Sequence, residues 1–209
     1  MAPHGPGMIG GTHSHDPEYP DDEWNLYTHL DPITTTSLNC TQPQDTLGIF
    51  KPSALKFDSN PTIFSDADEE LLIIAKFTSP VHIRKICIIG GTDNPDYHPN
   101  IVRCYVNREG LDFTEVHEMP PTQQFNLPVN QDGTVELITS IHSFTNVNSL
   151  AFFFPSNYGA ESTAIQYIGL QGEHTHFRRE AVNTTYEVLC TGDEIHNHAD
   201  NITNREHFH

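Results

Sequence analysis

The stretch from Ser156 to Glu173 reads SNYGAESTAIQYIGLQGE and contains the clearest transition from a loop to a strand in the chain. Its first part is rich in Asn, Gly and small polar residues, which form turns. Thr163–Leu170 is rich in β-branched and aromatic residues and lacks proline, so we expect a strand there. Apolar side chains fall on both of its faces, which predicts cover on both sides. Gly169 and Gly172 indicate a bulge or a close backbone approach.

Two earlier apolar runs, Leu71–Phe77 and Val81–Ile89, also have the composition of buried strands. Because only Thr78–Pro80 separates them, the sequence predicts two neighbouring strands joined by a short link. The preceding run Ser65–Glu70 begins like a helix capping box. The run that follows is β-branched and ends at Pro80, which favours one acidic turn that leads into a strand.

Other segments of strand length recur between Gly- and Pro-rich breakers: Ile101–Val106, Gln123–Leu127, Thr134–Ile141, Ser149–Phe154 and Val182–Val188. Apolar spacing in Trp24–Leu30 predicts a short helix or a docked arm, and Leu47–Phe50 predicts an edge strand or a plug over the core. No long helical period appears anywhere. The pattern therefore predicts an all-β, jelly-roll sandwich over residues 24–188.

The two ends of the chain have little apolar surface to bury. Residues 1–23 are rich in His, Gly and Pro and predict a disordered arm, and residues 189–209 predict a second polar tail that contains histidines. His4, His13 and His15 would hold a divalent ion only loosely, because they offer no fixed tetrahedral ligand set. We favour a solvated arm.

Charge and composition exclude several classes of function. The chain has 10 Lys and Arg residues against 28 Asp and Glu residues, a formal net charge of −18, which disfavours nucleic acid and anionic membranes as partners. Its apolar runs are far shorter than the roughly 20 residues of a membrane-spanning helix. No secretory or transit signal is recognisable near Met1, so we expect a cytoplasmic and nuclear protein.

The cysteines and glycosylation triplets agree with that compartment. The four cysteines are scattered and form no C-x-x-C motif, which predicts reduced thiols. They are Cys40, Cys87, Cys104 and Cys190. Three N-x-T triplets begin at Asn39, Asn183 and Asn201, and in an intracellular protein we regard them as coincidental.

Three groups of polar residues are candidates for chemistry, and each has a simpler interpretation. Asp66, Asp68, Glu69 and Glu70 offer ligands for calcium, but they do not match a calcium loop, so an exposed charged turn is favoured. Asp93, Asp96 and His98 offer an acid–base or metal trio, but Pro- and Asx-rich loops gather such residues for turn formation alone. In the run from Glu173 to His176, two histidines without a third ligand are a weak metal signal.

Signals for catalysis are missing from the sequence. No G-x-S-x-G, activated cysteine, dinucleotide or Walker motif is present, so we predict no catalytic residue, no metal and no cofactor. Arg178 and Arg179 are a pair of adjacent basic residues on an acidic chain. This pair would bind a carboxylate or an acidic partner, or it would form ion pairs with neighbouring acidic residues of the chain.

Several motifs together resemble the PITH domain family. They are Phe50-Lys51-Pro52, Ser65-Asp66-Ala67-Asp68-Glu69-Glu70-Leu71-Leu72, Phe144-Thr145-Asn146-Val147, Asn157-Tyr158-Gly159-Ala160, Tyr167-Ile168-Gly169-Leu170-Gln171-Gly172-Glu173 and Arg178-Arg179-Glu180. The resemblance implies a galactose-binding-like jelly roll that associates with the regulatory particle of the 26S proteasome. The thioredoxin-linked arrangement of one family member is not matched, since C-x-x-C is absent, so no redox activity is implied.

The sequence is compatible with two functions. The first is a monomeric, non-catalytic adaptor, for which the charged candidates are the predicted partner contacts: Asp66, Asp68, Glu69, Glu70, Asp93, His98, Glu173, Arg178 and Arg179. The second, suggested by the jelly-roll architecture, is a module that binds a glycan or small ligand through rim loops such as Gly91–Pro99. An enzyme is a distant third, because fold alone cannot establish one.

Overall fold

The computed structural model of the protein describes residues 22–91 and 93–175. The predicted strand Val182–Val188, the pair Arg178 and Arg179, and most of both predicted tails lie outside the described residues. Within the described range no helix is long and apolar enough to cross a membrane.

Most of the regular secondary structure of the described chain is β-structure, and its strands pair in antiparallel fashion. The strands are β1 Thr36–Leu38, β2 Ile63–Phe64, β3 Leu71–Ile89, β4 Ile101–Val106, β5 Gln123–Asn126, β6 Leu137–Ile138, β7 Val147–Phe154, β8 Ala164–Ile165 and β9 Tyr167–His174. One α-helix, α1, spans Phe113–Glu118, and short 3₁₀ helices span Asn25–His29, Pro43–Ile49, Ser53–Leu55 and Pro95–Tyr97.

Strand β3 joins the two parts of the sandwich. Its first half pairs with β1 and β7, and its second half pairs with β9 and β6. The prediction of two neighbouring strands joined by Thr78–Pro80 is therefore wrong, because this link is extended and lies inside one 19-residue strand. Pro80 is tolerated there because the ladder with β7 is interrupted between Lys76 and Val81, where a missing N–H costs no regular hydrogen bond.

The core follows the alternation of side chains along these strands. Leu71, Ile73 and Ala75 point into the main core, together with alternate residues of β7 such as Phe152. On the opposite face, Leu72 and other buried residues form a second cluster under α1. The two faces of the first half of β3 are thus both covered, as expected for a strand without a polar face.

A bulge at Arg84 reverses the alternation in the second half of β3. Ile83 pairs with Gly172 and Lys85 with Gln171, so Arg84 has no partner across the ladder. Before the bulge Ile83 faces the core, and after it Ile86 does. The backbones approach closely here: a Cβ on Gly172 would lie 1.9 Å from the carbonyl oxygen of His82. This confirms the close approach predicted for Gly172.

The predicted strand Thr163–Leu170 is divided in two. Ala164 and Ile165 form β8, which pairs with β2, whereas β9 begins at Tyr167 and pairs with β3. Gln166 separates them because its backbone N–H donates to Ile89 and its side-chain amide donates to the carbonyl of Lys56, 2.8 Å away. The prediction of cover on both faces is confirmed, since β9 is buried from Tyr167 to Leu170.

Smaller expectations had different outcomes. The predicted strand Thr134–Ile141 contains strand geometry only at β6. Of the two alternatives for Leu47–Phe50, the plug over the core is confirmed and the edge strand is wrong, because these residues lie at the end of a 3₁₀ helix that packs on the core. Helix α1 was not predicted, because a helix of six residues is too short to show a helical period in the sequence. Trp24–Leu30 does contain a short helix, and its Leu26 is fully buried in the main core, so this arm is docked.

Candidate functional site

The acidic turn between β2 and β3 is held by Asn39, a residue in the left-handed region with φ 55°. Its amide nitrogen donates to Asp68 Oδ1 over 2.7 Å and to the carbonyl of Glu70 over 2.6 Å. Its amide oxygen accepts from the backbone N–H of Ala67 over 2.9 Å. Asp68 is therefore a structural acceptor inside the turn, and it also accepts from the N–H of Glu70.

A second set of bonds ties the turn to the loop before β8. Ser65 Oγ donates to the carbonyl of Asp68 and accepts from the N–H of Thr163, which is fully buried. Thr163 Oγ1 in turn donates to the carbonyl of Glu69 over 2.6 Å. The run that resembled a helix cap thus forms one acidic turn before a strand, as predicted, and its serine crosslinks two loops.

Glu70 leaves the turn in the direction of α1. Its Oε1 lies 2.8 Å from His117 Nε2, while His117 Nδ1 faces the carbonyl of Phe113. Because the imidazolium form donates to both acceptors, the Glu70 carboxylate and then the Phe113 carbonyl raise the pKa of His117 above its ordinary value of 6.5. Glu70 thereby links the acidic turn to the helix that covers the outer core.

Asp66 faces an open cleft of about 730 Å³ between the acidic turn and three other loops. Tyr97 and Glu161 contribute to the same cleft, and the ring of Phe64 meets Tyr97 edge-on at 6.3 Å between centroids. The sequence reasoning did not include Glu161 as a contact candidate. No motif marked it, and only the pairing of β2 with β8 brings it beside Asp66.

The rim loop after β3 is built by turn chemistry. Asn94 Oδ1 accepts from the N–H of Asp96 and caps the 3₁₀ helix, and the carbonyl of Asp96 accepts from Ala160. His98 is only 2% exposed. Its ring packs directly against Gly90, and a Cβ added to Gly90 would lie 2.5 Å from the ring atom Cγ. His98 therefore presents no ring surface to a partner, whereas Asp93 is exposed.

Asp93 borders a separate cleft of about 540 Å³. Phe57, whose side chain is 60% exposed, lies on the same cleft with Gln131 and Gln166. The amide nitrogen of Gln131 donates to the carbonyl of Asp93 over 3.1 Å, which fixes the rim loop against the loop that precedes β6. This cleft is the structural counterpart of the predicted rim-loop site.

The remaining predicted contacts are elsewhere or not described. Glu173 lies on β9 beside the second half of β3 and forms an exposed ion pair with Arg84 at 2.6 Å. Arg178 and Arg179 lie outside the described residues. The fold therefore brings together the four acidic residues of the turn, and it adds Asp96 and Glu161 to them, but it does not join them to Glu173.

Metal and thiol chemistry have little support in the described range. No group of three His, Cys, Asp or Glu side chains within residues 22–91 and 93–175 is arranged to hold a metal ion. Among the described residues Cys40, Cys87 and Cys104 form no disulfide, and their reduced state stays a prediction. Burial raises the pKa of both Cys87 and Cys104, so neither is an activated thiolate.

Comparison with known proteins gives consistent results. The family model described as "PITH domain" matches residues 16–189. A human protein named PITH domain-containing protein 1 is 35% identical over 189 residues, covering 88% of this chain and 86% of its own length. A Dictyostelium discoideum protein of the same name is 34% identical over 182 residues, covering 87% of this chain and 88% of its own length.

A solved structure of the CBM32-1 and CBM32-2 domains of Clostridium perfringens ZmpB is similar in fold. It has a TM-score of 0.54 at 12% identity and covers 74% of this chain and 38% of its own. At that identity the similarity shows the fold alone. The fold is the jelly-roll sandwich that the strand pattern predicted, of the galactose-binding-like kind that the family resemblance implied.

Proposed function

Because this chain belongs to the PITH domain family, we propose that it is a non-catalytic protein-interaction module that associates with the regulatory particle of the 26S proteasome. We place this activity in the cytoplasm and nucleus. The family membership covers the β-sandwich and supports a shared mode of action with the relatives.

The observation that carries the proposal is the acidic end of the sandwich. The segments 39–42, 64–70, 94–99 and 157–163 meet there through backbone and side-chain hydrogen bonds, and none of them contains Lys or Arg. Asp66 and Glu161 face the same cleft. A surface with one sign of charge attracts a complementary basic surface and orients it during encounter.

The contacts within the acidic turn decide which of its carboxylates are suitable for mutation. Asp68 and Glu70 hold the turn and α1, so their removal would confuse folding with binding. Asp66→Asn combined with Glu161→Gln removes two charges from the cleft. The matched control is Glu109→Gln combined with Glu118→Gln, which removes two charges from exposed positions outside these loops.

Affinity purification with mass spectrometry, from cells in which the protein is abundant, tests the proposal. We expect regulatory-particle subunits with the wild type and with the control pair, and reduced recovery with Asp66→Asn/Glu161→Gln. Absence of these subunits from the wild-type sample would refute the proposed association. Equal recovery with all three proteins would show that the acidic cleft is not the contact surface.

A second candidate function has its own observation in favour. The cleft at Asp93 combines an exposed aromatic ring, Phe57, with carboxylate and amide side chains, which is a combination that suits a glycan or a small polar ligand. A glycan array and a thermal-shift screen test this alternative. No binding on the array, together with a melting temperature that the ligands leave unchanged, would refute this alternative.

A further inference from the structure

An apolar groove lies between β6 and the second half of β3. Ile138 is 62% exposed and Ile141 is 77% exposed, and both line the groove, although isoleucine is a residue that folding normally buries. The groove has a volume of about 430 Å³. Two exposed isoleucines on one concave surface are typical of a site where the apolar surface of another molecule binds and covers them.

The floor of the groove is part of the rigid core. Phe144 is 1% exposed and Ile83 is 2% exposed, and both belong to the main core cluster. Thr139 Oγ1 donates to the carbonyl of Ile83 over 2.7 Å, which fixes the wall that contains Ile138. The groove is therefore preformed, and a ligand would not have to order it.

The backbone edge of β6 is already occupied. Gln123 Nε2 donates to the carbonyl of Ile138 over 3.2 Å, and Gln123 Oε1 accepts from the N–H of Ser140 over 2.9 Å. An added strand would have to displace this side chain. A partner is therefore expected to bind through side chains that enter the groove.

Cationic side chains line the groove on an otherwise acidic protein. Arg84 and Lys85 both border it. Arg84 is paired with Glu173 and Lys85 with Glu136, but neither glutamate lines the groove. Exposed pairs of this kind contribute little to stability, so a carboxylate of a partner would replace them at little cost.

We propose that this groove docks a partner segment in which apolar side chains are flanked by carboxylates. The apolar side chains would cover Ile138 and Ile141, and the carboxylates would pair with Arg84 and Lys85. This inference goes beyond the proposed function and does not depend on it, because it concerns a different half of β3 and a partner of opposite charge. A second copy of this chain is the competing occupant, and its net charge of −18 opposes self-association.

The probes are three labelled peptides of equal length: one with a Leu-Ile pair flanked by Glu, one with the same pair flanked by Lys, and one with Ser in place of the pair flanked by Glu. The protein variant is Ile138→Ser/Ile141→Ser. Ile33→Ser is the matched control, because Ile33 is 90% exposed and does not line the groove. Fluorescence anisotropy measures binding, and thermal denaturation checks that each variant is folded.

We expect the Glu-flanked apolar peptide to bind the wild type and Ile33→Ser, and to bind the double variant at least about tenfold more weakly, since the two lost apolar contacts together are worth at least about one factor of ten. The other two peptides should bind more weakly to the wild type. Arg84→Gln/Lys85→Gln should lower affinity for the Glu-flanked peptide and make binding less sensitive to salt.

Three outcomes would overturn the inference. They are no binding of the Glu-flanked apolar peptide by the wild type, equal binding of the Lys-flanked peptide, and equal weakening by Ile33→Ser. A dimer in light scattering that Ile138→Ser/Ile141→Ser abolishes would also overturn it, in favour of a second copy as the occupant. Each result is independent of whether proteasome subunits are recovered with the protein.

Discussion

Asn39 and Asp68 are 29 residues apart in the chain, yet the amide of Asn39 donates to the carboxylate of Asp68 over 2.7 Å. This bond turns part of a charged run into an internal support. Asn39 also bonds the backbone of Ala67 and Glu70, so one side chain replaces the hydrogen bonds that an irregular turn lacks. The shape of the acidic end depends on this residue.

Asn39→Ala should lower the free energy of unfolding by about 2–3 kcal/mol, because it removes three hydrogen bonds. It also places alanine at φ 55°, where its Cβ is strained and no side-chain hydrogen bond offsets the strain. Asn39→Gly should cost about 1–2 kcal/mol, since glycine accepts that backbone conformation. Urea denaturation measures both values. An alanine variant as stable as the glycine variant would contradict the role assigned to the backbone.

The same bonds explain why sequence reasoning found the acidic turn but not its function in the fold. The composition of Ser65–Glu70 is local information, and it predicted an exposed charged turn. The use of Asp68 by Asn39 is a long-range relationship that appears only when β1 and β3 are paired. The triplet that begins at Asn39 fits a glycosylation site in sequence, but its amide nitrogen is already a donor to two acceptors.

The error in β3 has a similar origin. Thr78–Pro80 looks like a break because proline normally ends a strand in sequence patterns. The strand continues because its hydrogen-bonding partner changes from β7 to β9 at that point, and the carbonyl of Pro80 accepts from Thr175. Strand composition was therefore predictable, but the exchange of partners was not.

Gly172→Ala should be strongly destabilising, by about 3 kcal/mol or more, because the new Cβ would lie 1.9 Å from the carbonyl oxygen of His82 and backbone must move. Gln171→Ala is the neighbouring control on the same strand, and we expect it to have a much smaller effect. Thermal denaturation followed by circular dichroism measures the difference. Similar melting temperatures for the two variants would show that β9 can shift at the bulge.

The ion pair between His117 and Glu70 predicts a pH dependence of stability. Because the folded protein raises the pKa of His117 above 6.5, this contact contributes fully below about pH 6.5, and the contribution is lost as the pH rises through the raised value. Glu70→Gln should therefore reduce stability more at pH 5.5 than at pH 8.5. Urea denaturation of both proteins at the two pH values tests this.

The titration of His117 provides an independent check of that sign. In nuclear magnetic resonance spectra the ring protons of His117 should titrate at higher pH in the wild type than in Glu70→Gln. The carbonyl of Phe113 remains as an acceptor in the variant, so part of the upward shift in pKa should persist. An unchanged titration curve would mean that Glu70 does not interact with the imidazolium in solution.

The side chain of Gln123 closes the gap between the edge strands β5 and β6, and its removal should expose the edge of β6. Gln123→Ala would leave the carbonyl of Ile138 and the N–H of Ser140 without this partner, at a cost of about 1–2 kcal/mol for two hydrogen bonds. An open edge beside the exposed Ile138 also favours pairing with another molecule. We therefore expect lower stability together with faster aggregation on heating, measured by light scattering during a thermal ramp.

Gln124→Ala is the control, because Gln124 is exposed on the same strand and bonds Arg103 rather than β6. If both variants aggregate at the same rate, the amide of Gln123 does not protect the edge, and the groove beside Ile138 would then remain open to an added strand.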